Sequence, residues 1–202
     1  MNNFNLYNPV NLCFGKDEHR KLTSLIPKDA KVLITYGSGS IKRNGVHEKV
    51  MAALKNHKVI EFGGIEPNPQ YSTLLQALAI IKAEKIDFLL AVGGGSVIDG
   101  TKFLASAALY EAGEPWDILA KGIRTTKALP FGTVLTLPAT GSEMNSGAVV
   151  SRKEIGQKRG MGGPGLFPQF SISDPTVVAS IPQRQLANGL VDAFTHVMEQ
   201  YM

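Results

Sequence analysis

The chain has one cysteine, no long apolar run, no basic cluster and no secretory signal. Cys13 stands alone among 202 residues, so no internal disulfide can form, and we expect a buried thiol in a cytoplasmic protein. Apolar runs such as Phe88–Val92 are far shorter than the roughly 20 residues that span a bilayer. The polar N-terminus lacks the apolar stretch of a signal peptide. The net charge of +4 comes from scattered basic residues, which argues against nucleic acid as a partner.

What the sequence does contain is a repeated unit of strand, glycine turn and helix. Val32–Tyr36 is apolar, ends in Gly37-Ser38-Gly39-Ser40 and precedes helical spacing. The unit recurs at Val59–Phe62 and is best formed at Ile86–Val92, which runs into Gly93-Gly94-Gly95-Ser96. Apolar strands that alternate with helices predict a mostly parallel sheet covered on both faces, in a doubly wound, Rossmann-like α/β domain.

Further elements are predicted around this core. Alternation of Phe4, Leu6, Val10, Leu12 and Phe14 predicts one or two edge strands, followed by a polar helix near Asp17. Later in the chain we predict a strand at Gly132–Leu137, a hairpin of Ala148–Arg152 with Lys158–Met161, and a short strand at Phe170–Ser173. The dinucleotide-binding domain then spans residues 1–181.

The last segment, residues 182–202, predicts a helix with an apolar stripe. The stripe contains Leu186, Leu190, Phe194 and Val197, and no Gly, Asn or Pro ends the helix before Met202. A helix of this kind needs more protein to pack against. We therefore expect the chain to be a fragment that includes the first helix of an all-helical second domain.

Two glycine turns at the carboxyl ends of parallel strands predict a phosphate-binding edge. Glycines there let main-chain amides approach a pyrophosphate, and helix N-termini add positive potential. Either turn alone is often only a tight connection. Neither turn matches the Gly-x-Gly-x-x-Gly fingerprint, so we expect a variant cradle.

Four motifs together resemble the iron-containing alcohol dehydrogenase family, in its NADPH-dependent butanol dehydrogenase and aldehyde reductase branch. They are Gly93–Lys102 (GGGSVIDGTK), Leu137–Glu143 (LPATGSE), Glu66–Pro69 (EPNP) and Asn188–His196 (NGLVDAFTH). The resemblance covers essentially the whole chain, which is similar to the N-terminal half of the family's proteins.

The resemblance implies which residues contact the coenzyme. Gly94, Gly95, Ser96 and Asp99 are implied at the pyrophosphate and nearby ribose, and Thr136, Leu137 and Thr140 along the path to the nicotinamide. The set also includes Asn68, Lys158 and Val177, the last two at the nicotinamide ribose or ring. Read without the family, Asp99 caps a helix, the threonines are strand and loop residues, and Lys158 is solvated on a hairpin.

The first glycine turn indicates NADP(H) as the coenzyme. NAD enzymes commonly place a carboxylate after the relevant strand, which would repel a 2′-phosphate. Here Gly37, Ser38, Gly39 and Ser40 offer amides and hydroxyls, with Lys42 and Arg43 close behind. Lys42 and Arg43 could equally be solvated residues at the start of a helix, with no contact to the coenzyme.

Asp192 and His196 are spaced i, i+4, which places a carboxylate and an imidazole on one helix face. On spacing alone they are an intrahelical pair on a wet surface. The resemblance implies instead that both are ligands of a catalytic divalent metal, Fe or Zn. We see no histidine in the chain that could finish such a site, and expect the remaining ligands beyond Met202.

These inferences predict NADPH-dependent, metal-dependent reduction of small aldehydes to primary alcohols, by a protein that is a homodimer when complete. Asp192 and His196 would be catalytic through the metal, and no residue stands out as a proton donor. Two alternatives remain: a non-catalytic NADP-binding fragment, and a lyase similar to dehydroquinate synthase on the same fold.

Overall fold

The computed structural model describes residue 3, residue 5 and residues 7–202. Its strands are β1 (Asn11–Phe14), β2 (Lys31–Thr35), β3 (Lys58–Phe62), β4 (Phe88–Gly94), β5 (Phe131–Leu137), β6 (Gly147–Arg152), β7 (Gln157–Gly162) and β8 (Phe170–Ser173). Its helices are α1 (Leu22–Leu25), α2 (Ser40–Arg43), α3 (Val46–Ala53), α4 (Tyr71–Glu84), α5 (Gly95–Ala107), α6 (Asp117–Ala120) and α7 (Gln183–Glu199). Short 3₁₀ turns lie at Glu18–Lys21, Ser142–Met144, Lys153–Ile155, Pro164–Leu166 and Pro175–Ser180.

Six strands form one sheet in the order β1-β8-β5-β4-β2-β3. Every neighbouring pair in it is parallel. After β2 the chain moves outward to β3, then crosses back to place β4 on the other side of β2. The order of the strands therefore reverses between β2 and β4, and this is where open α/β sheets bind ligands.

The sheet is covered on both faces, as predicted. Leu33 and Leu89 belong to the core on the face covered by α4 and α5. Ile34 and Leu90, their neighbours in sequence, belong to the core on the other face, with Val50 of α3. Because alternate residues of the same strand are buried on opposite faces, the central strands are apolar nearly throughout. The predicted doubly wound fold is confirmed.

Strand β1, which pairs with β8, is one edge of the sheet, and β3 is the other. Cys13 is buried in β1, as expected, whereas Leu12 and Phe14 on the opposite face are exposed. Phe4 and Leu6 lie outside the described residues, so the alternation predicted for them stays a prediction. The polar helix predicted near Asp17 is present as the 3₁₀ turn Glu18–Lys21 continued by α1.

The predicted hairpin is present as β6 and β7, a separate antiparallel pair. It packs on the main domain near α4, where the main-chain N–H of Ser151 donates to the oxygen of Pro69 at 2.9 Å. Arg152 places its guanidinium 4.7 Å from the ring centre of Tyr71 and 2.9 Å from a carboxylate oxygen of Glu114. These contacts fix the hairpin beside the carboxyl end of the sheet.

The last helix, α7, exposes its whole apolar stripe. Leu190 and Phe194 are each 66% exposed, and none of the helix's residues is buried. Within the described residues, no helix is both long and apolar enough to cross a membrane.

Asp174 connects the end of β8 to the first elements of the chain. Its Oδ1 accepts from the N–H and hydroxyl of Thr176 at 2.9 and 2.7 Å, and its Oδ2 accepts from the N–H of Asp17 at 2.9 Å. Burial by itself would raise the pKa of Asp174, but these hydrogen bonds outweigh it, and the pKa is lowered. The charged carboxylate is therefore the form that stabilises the fold.

We expect Asp174→Asn to lower the free energy of unfolding by about 1–3 kcal/mol at neutral pH, since a charged acceptor is lost. A lowered folded pKa contributes stability above the unfolded pKa, and this stability is lost as the pH falls through the folded value. The difference between wild type and variant should therefore shrink below about pH 4. Urea unfolding at several pH values measures it, with the exposed Asp29→Asn as control. A difference that stays constant into acid would contradict this role.

Candidate functional site

The two glycine turns meet at the point where the strand order reverses. Residues 37–40 follow β2, and residues 94–96 lie at the junction of β4 and α5, so both stand at the carboxyl edge of the sheet. Between them is an open cleft of about 540 Å³. This volume is typical of a site for a small-molecule ligand.

Most of the predicted coenzyme residues line this cleft. They are Gly37, Ser38, Ser40, Gly94, Gly95, Ser96, Thr136 and Leu137. Apolar side chains of Ile41, Ile65 and Val97 also line it, as does Gln185 at the start of α7. The sequence did not predict these four, because only the folded chain shows which helices and loops lie next to the two turns.

The N-terminus of α5 is open toward a ligand. Gly94 caps the helix, and no side chain accepts from the first-turn amides. A helix N-terminus with uncapped amides is suited to a phosphate group. At Gly95 a Cβ atom would lie 2.3 Å from the hydroxyl oxygen of Thr140, so any larger residue would push that threonine away. Thr140 therefore lies directly over the first turn of α5.

Gly39 has a left-handed backbone, with φ of +89°, and caps the short helix α2. A Cβ atom placed there would meet nothing within 4 Å. A side chain at this position would therefore stand in open space at the end of β2. Behind it, the ammonium of Lys42 lies 3.5 Å from a carboxylate oxygen of Glu61 and 5.0 Å from the ring centre of Tyr36. Lys42 thus contacts Glu61 of β3 while its side chain stays half exposed.

Asn68 and Lys158 meet beside the cleft. The Lys158 ammonium donates to Oδ1 of Asn68 at 2.7 Å, and the N–H of Asn68 donates to the Ser96 hydroxyl at 3.3 Å. Both line a shallow depression of about 450 Å³, and Pro67 borders this depression and the cleft. Lys158 is therefore linked through Asn68 to the first turn of α5, while it stays exposed on its hairpin.

Asp99 does not cap α5. Its Oδ1 accepts from the Ser142 hydroxyl at 2.6 Å and its Oδ2 from the N–H of Val149 at 2.9 Å. Interpreting Asp99 as a helix cap is wrong for a physical reason: the residue lies one turn inside the helix, where the N–H groups are already bonded. Both carboxylate oxygens hold the connection from β5 to β6.

Val177 is not brought to the cleft. It packs against the core beside Val46, Val134 and Ile172, at a cavity of about 10 Å³. Its predicted place at the nicotinamide stays a prediction.

Asp192 and His196 lie on α7, with Oδ2 and Nε2 3.6 Å apart. Both are exposed, at 57% and 66%. Two ligands of one tetrahedral ion, each about 2.1 Å from it, would stand about 3.4 Å apart. The donor set and its spacing therefore fit a divalent metal. On the far side of the imidazole, Nδ1 lies 3.8 Å from a carboxylate oxygen of Glu199, a residue that spacing alone did not single out.

A second group with metal-ligand chemistry lies elsewhere. Atoms of Asp17, His19 and Asp174 lie within 4.8 Å of one another. The ammonium of Lys49 already stands 3.4 Å from Oδ1 of Asp17, and Asp174 accepts hydrogen bonds on both oxygens. Burial, followed by the charge of Lys49, lowers the pKa of His19. A lysine thus supplies the cation here, and we interpret the group as structural.

Comparison with known proteins gives a consistent picture. Residues 9–175 match the family model described as iron-containing alcohol dehydrogenase. Over its full length the chain is 54% identical to the NADPH-dependent aldehyde reductase YqhD of Escherichia coli, of which it covers 53%. It is 50% identical to the probable NADH-dependent butanol dehydrogenase 1 of Bacillus subtilis, of which it covers 52%.

Solved structures agree. The crystal structure of Escherichia coli YqhD superposes with a TM-score of 0.93 at 54% identity, covering 98% of this chain and 52% of that one. The NADH-dependent butanol dehydrogenase A of Thermotoga maritima gives 0.91 at 41% identity, covering 98% and 51%. The chain spans about half the length of the relatives it matches.

Proposed function

The chain belongs to the iron-containing alcohol dehydrogenase family, and on that basis we propose that the whole protein reduces small aldehydes to primary alcohols with NADPH and a divalent metal ion. The observation that carries the proposal is the cleft between the two glycine turns, at the reversal point of the sheet. The names of the relatives, aldehyde reductase and butanol dehydrogenase, support the substrate class.

Different residues in and beside the cleft would bind different parts of the coenzyme. Amides at the N-terminus of α5, with Gly94, Gly95 and Ser96, would hold the pyrophosphate, because they are uncapped and the helix end carries positive potential. Lys158 and Asn68 would close the cleft on one side. Thr136, Leu137 and Thr140 would guide the nicotinamide along the end of β5, with Val177 beyond them.

The choice of NADPH is supported by the turn after β2. Ser38 and Ser40 line the cleft, Lys42 lies one turn further, and the described residues 37–40 include no carboxylate. A 2′-phosphate would meet hydroxyls and amides there, and the half-exposed ammonium of Lys42, which contacts Glu61, would lie nearby. The relatives do not decide the matter, since one is named NADPH-dependent and another NADH-dependent.

Asp192 and His196 would hold the metal, Fe or Zn. When bound, such an ion supplies a Lewis acid that polarises the aldehyde oxygen, and NADPH supplies the hydride. The charged carboxylate of Asp192 and a neutral imidazole nitrogen of His196 are the donors that this chain contributes. Two donors are too few for a catalytic site, so we propose that the missing ligands belong to a helical domain that α7 begins, in a homodimeric whole protein.

The exposed stripe of α7 supports that division into domains. An apolar surface with Leu190 and Phe194 mostly exposed normally lies against other protein. We therefore propose residues 1–181 as the dinucleotide-binding domain and residues 182–202 as the start of the metal-binding one.

Purified whole protein, loaded with Fe(II) or Zn(II), should oxidise NADPH in step with loss of a short-chain aldehyde such as butanal. One mole of alcohol should appear per mole of NADPH consumed. Binding of NADPH without turnover, in metal-loaded protein, would favour a non-catalytic nucleotide-binding module. Turnover of a substrate with no net oxidation of coenzyme would favour a lyase on the same fold.

A further inference from the structure

One face of α5 holds the connection between β5 and β6. The face consists of Gly95, Asp99 and Lys102, which are spaced i, i+4 and i+7 and therefore lie in a row. We call residues 138–147 the wall loop, because the loop starts where Leu137 lines the cleft. The same helix thus points its N-terminus at the cleft and its side at the wall loop.

Lys102 is fully buried, which is unusual for a lysine. Its ammonium donates to the main-chain oxygen of Asn145 at 2.8 Å, to Oδ1 of Asn145 at 3.0 Å and to the main-chain oxygen of Gly147 at 2.8 Å. All three hydrogens of the ammonium are therefore used. The same Oδ1 also accepts from the N–H of Gly147 at 3.0 Å. Residues at the end of the wall loop therefore surround the Lys102 ammonium with oxygen atoms.

The start of the wall loop is held by the other two residues of the row. Asp99 accepts from the Ser142 hydroxyl, and the N–H of Ser142 lies 3.3 Å from the hydroxyl oxygen of Thr140. The absence of a side chain at Gly95 leaves the space that Thr140 occupies. Thr140 is thus held over the first turn of α5 at the start of the wall loop, and Lys102 holds the end of the same loop.

We propose that Lys102 is a positioning residue for the coenzyme: by holding Asn145 and Gly147 it fixes the wall loop, and with it Thr140, against the first turn of α5. The inference rests on the proposed function. A buried charge is seldom the most stabilising choice, and a well-packed apolar residue is often as good. The three directed hydrogen bonds of Lys102 hold the loop in a single conformation, which an apolar side chain could not do.

The surroundings of Lys102 predict that NADPH binding depends on pH. Burial lowers the pKa of Lys102 to about 8, while the carboxylates of Asp99 on the same helix and Glu143 on the wall loop act in the opposite direction. Above that pH the amine keeps two hydrogens for three oxygens, so one contact to the loop is lost. The affinity for NADPH should therefore fall as the pH rises through about 8, provided Lys102 is present.

The test compares Lys102→Met with Asn145→Ala in the whole protein. NADPH binding is measured by calorimetry from about pH 7 to about pH 9, and the amide exchange of the wall loop by mass spectrometry. We expect Lys102→Met to weaken NADPH binding about tenfold at neutral pH and to abolish the pH dependence, since hydrogen bonds to a charged group are lost. Amides of residues 139–147 should exchange faster, while those of β4 and β5 keep their protection. Lys121→Met, at the exposed lysine that directly follows α6, is the matched control.

Asn145→Ala keeps the buried lysine and should weaken binding in the same direction by about threefold, since one acceptor is lost. If Lys102→Met does not fold, this exposed variant decides the matter. Wild-type NADPH affinity and wall-loop exchange in a folded Lys102→Met, or in Asn145→Ala, would overturn the proposal. Failure of the wild-type protein to bind NADPH would instead refute the proposed function, and amide exchange would still report whether Lys102 fixes the loop.

Discussion

In the whole protein, the proposed function predicts that the double variant Asp192→Ala, His196→Ala binds no metal ion and does not reduce aldehydes, while it still binds NADPH. The two donor atoms are 3.6 Å apart on α7, a spacing that fits one ion. A Lewis acid contributes several kcal/mol to carbonyl reduction, so the rate should fall about 10³-fold or more. Metal content is measured by elemental analysis, and activity by NADPH oxidation with a short-chain aldehyde.

The variant should keep its nucleotide site because neither residue lines the cleft between the glycine turns. The dissociation constant of NADPH is therefore expected to change by less than about threefold. Thr195→Ala, on the same helix, is the control, since the Thr195 hydroxyl donates to the main-chain oxygen of Val191 at 2.9 Å. Undiminished activity in the metal-free double variant would remove the metal from the proposed mechanism.

The second large effect is expected at Gly39. The substitution Gly39→Asp should turn the coenzyme preference from NADPH toward NADH. The position is open, with no atom within 4 Å of a Cβ placed there, and it follows directly on Ser38 in the cleft. A carboxylate near a 2′-phosphate is repelled by about 2 kcal/mol or more, which corresponds to about a 30-fold weaker affinity for NADPH. The same carboxylate can accept from the ribose hydroxyl of NADH and tighten its binding.

Gly39→Asn separates charge from backbone geometry. Aspartate and asparagine have nearly the same shape, and both would carry the same backbone strain at the φ of +89° that Gly39 adopts, so the pair differs in charge alone. Asparagine should therefore leave the ratio of NADPH to NADH affinity within about threefold of wild type. The ratio is measured by titrating each coenzyme. Equal losses of NADPH affinity in both variants would mean that Gly39 is needed for its backbone, and no loss in either would place the 2′-phosphate elsewhere.

Much of the fold can be predicted from the sequence, because the composition of the central strands indicates that they are buried on both faces. Val32–Ile34 and Phe88–Val92 are apolar throughout, and only a strand buried on both faces needs that composition. The glycine turns after them mark the carboxyl edge, since a tight turn with exposed amides requires small residues. The β6 and β7 hairpin could also be predicted, because its two arms lie close together in the chain, on either side of residues 154–157.

The sequence alone therefore determined the parallel sheet, the two glycine turns and the i, i+4 spacing of Asp192 with His196, since each depends on residues close together in the chain. Only the tertiary structure decided which turns share a cleft, because the crossover from β3 to β4 sets the strand order. It also gave Asp99 its loop-holding contacts, joined Lys158 to Asn68 and buried Lys102 under the wall loop. These pairs are separated by more than 40 residues, and no local pattern encodes a contact whose partner is brought close only when the chain has folded.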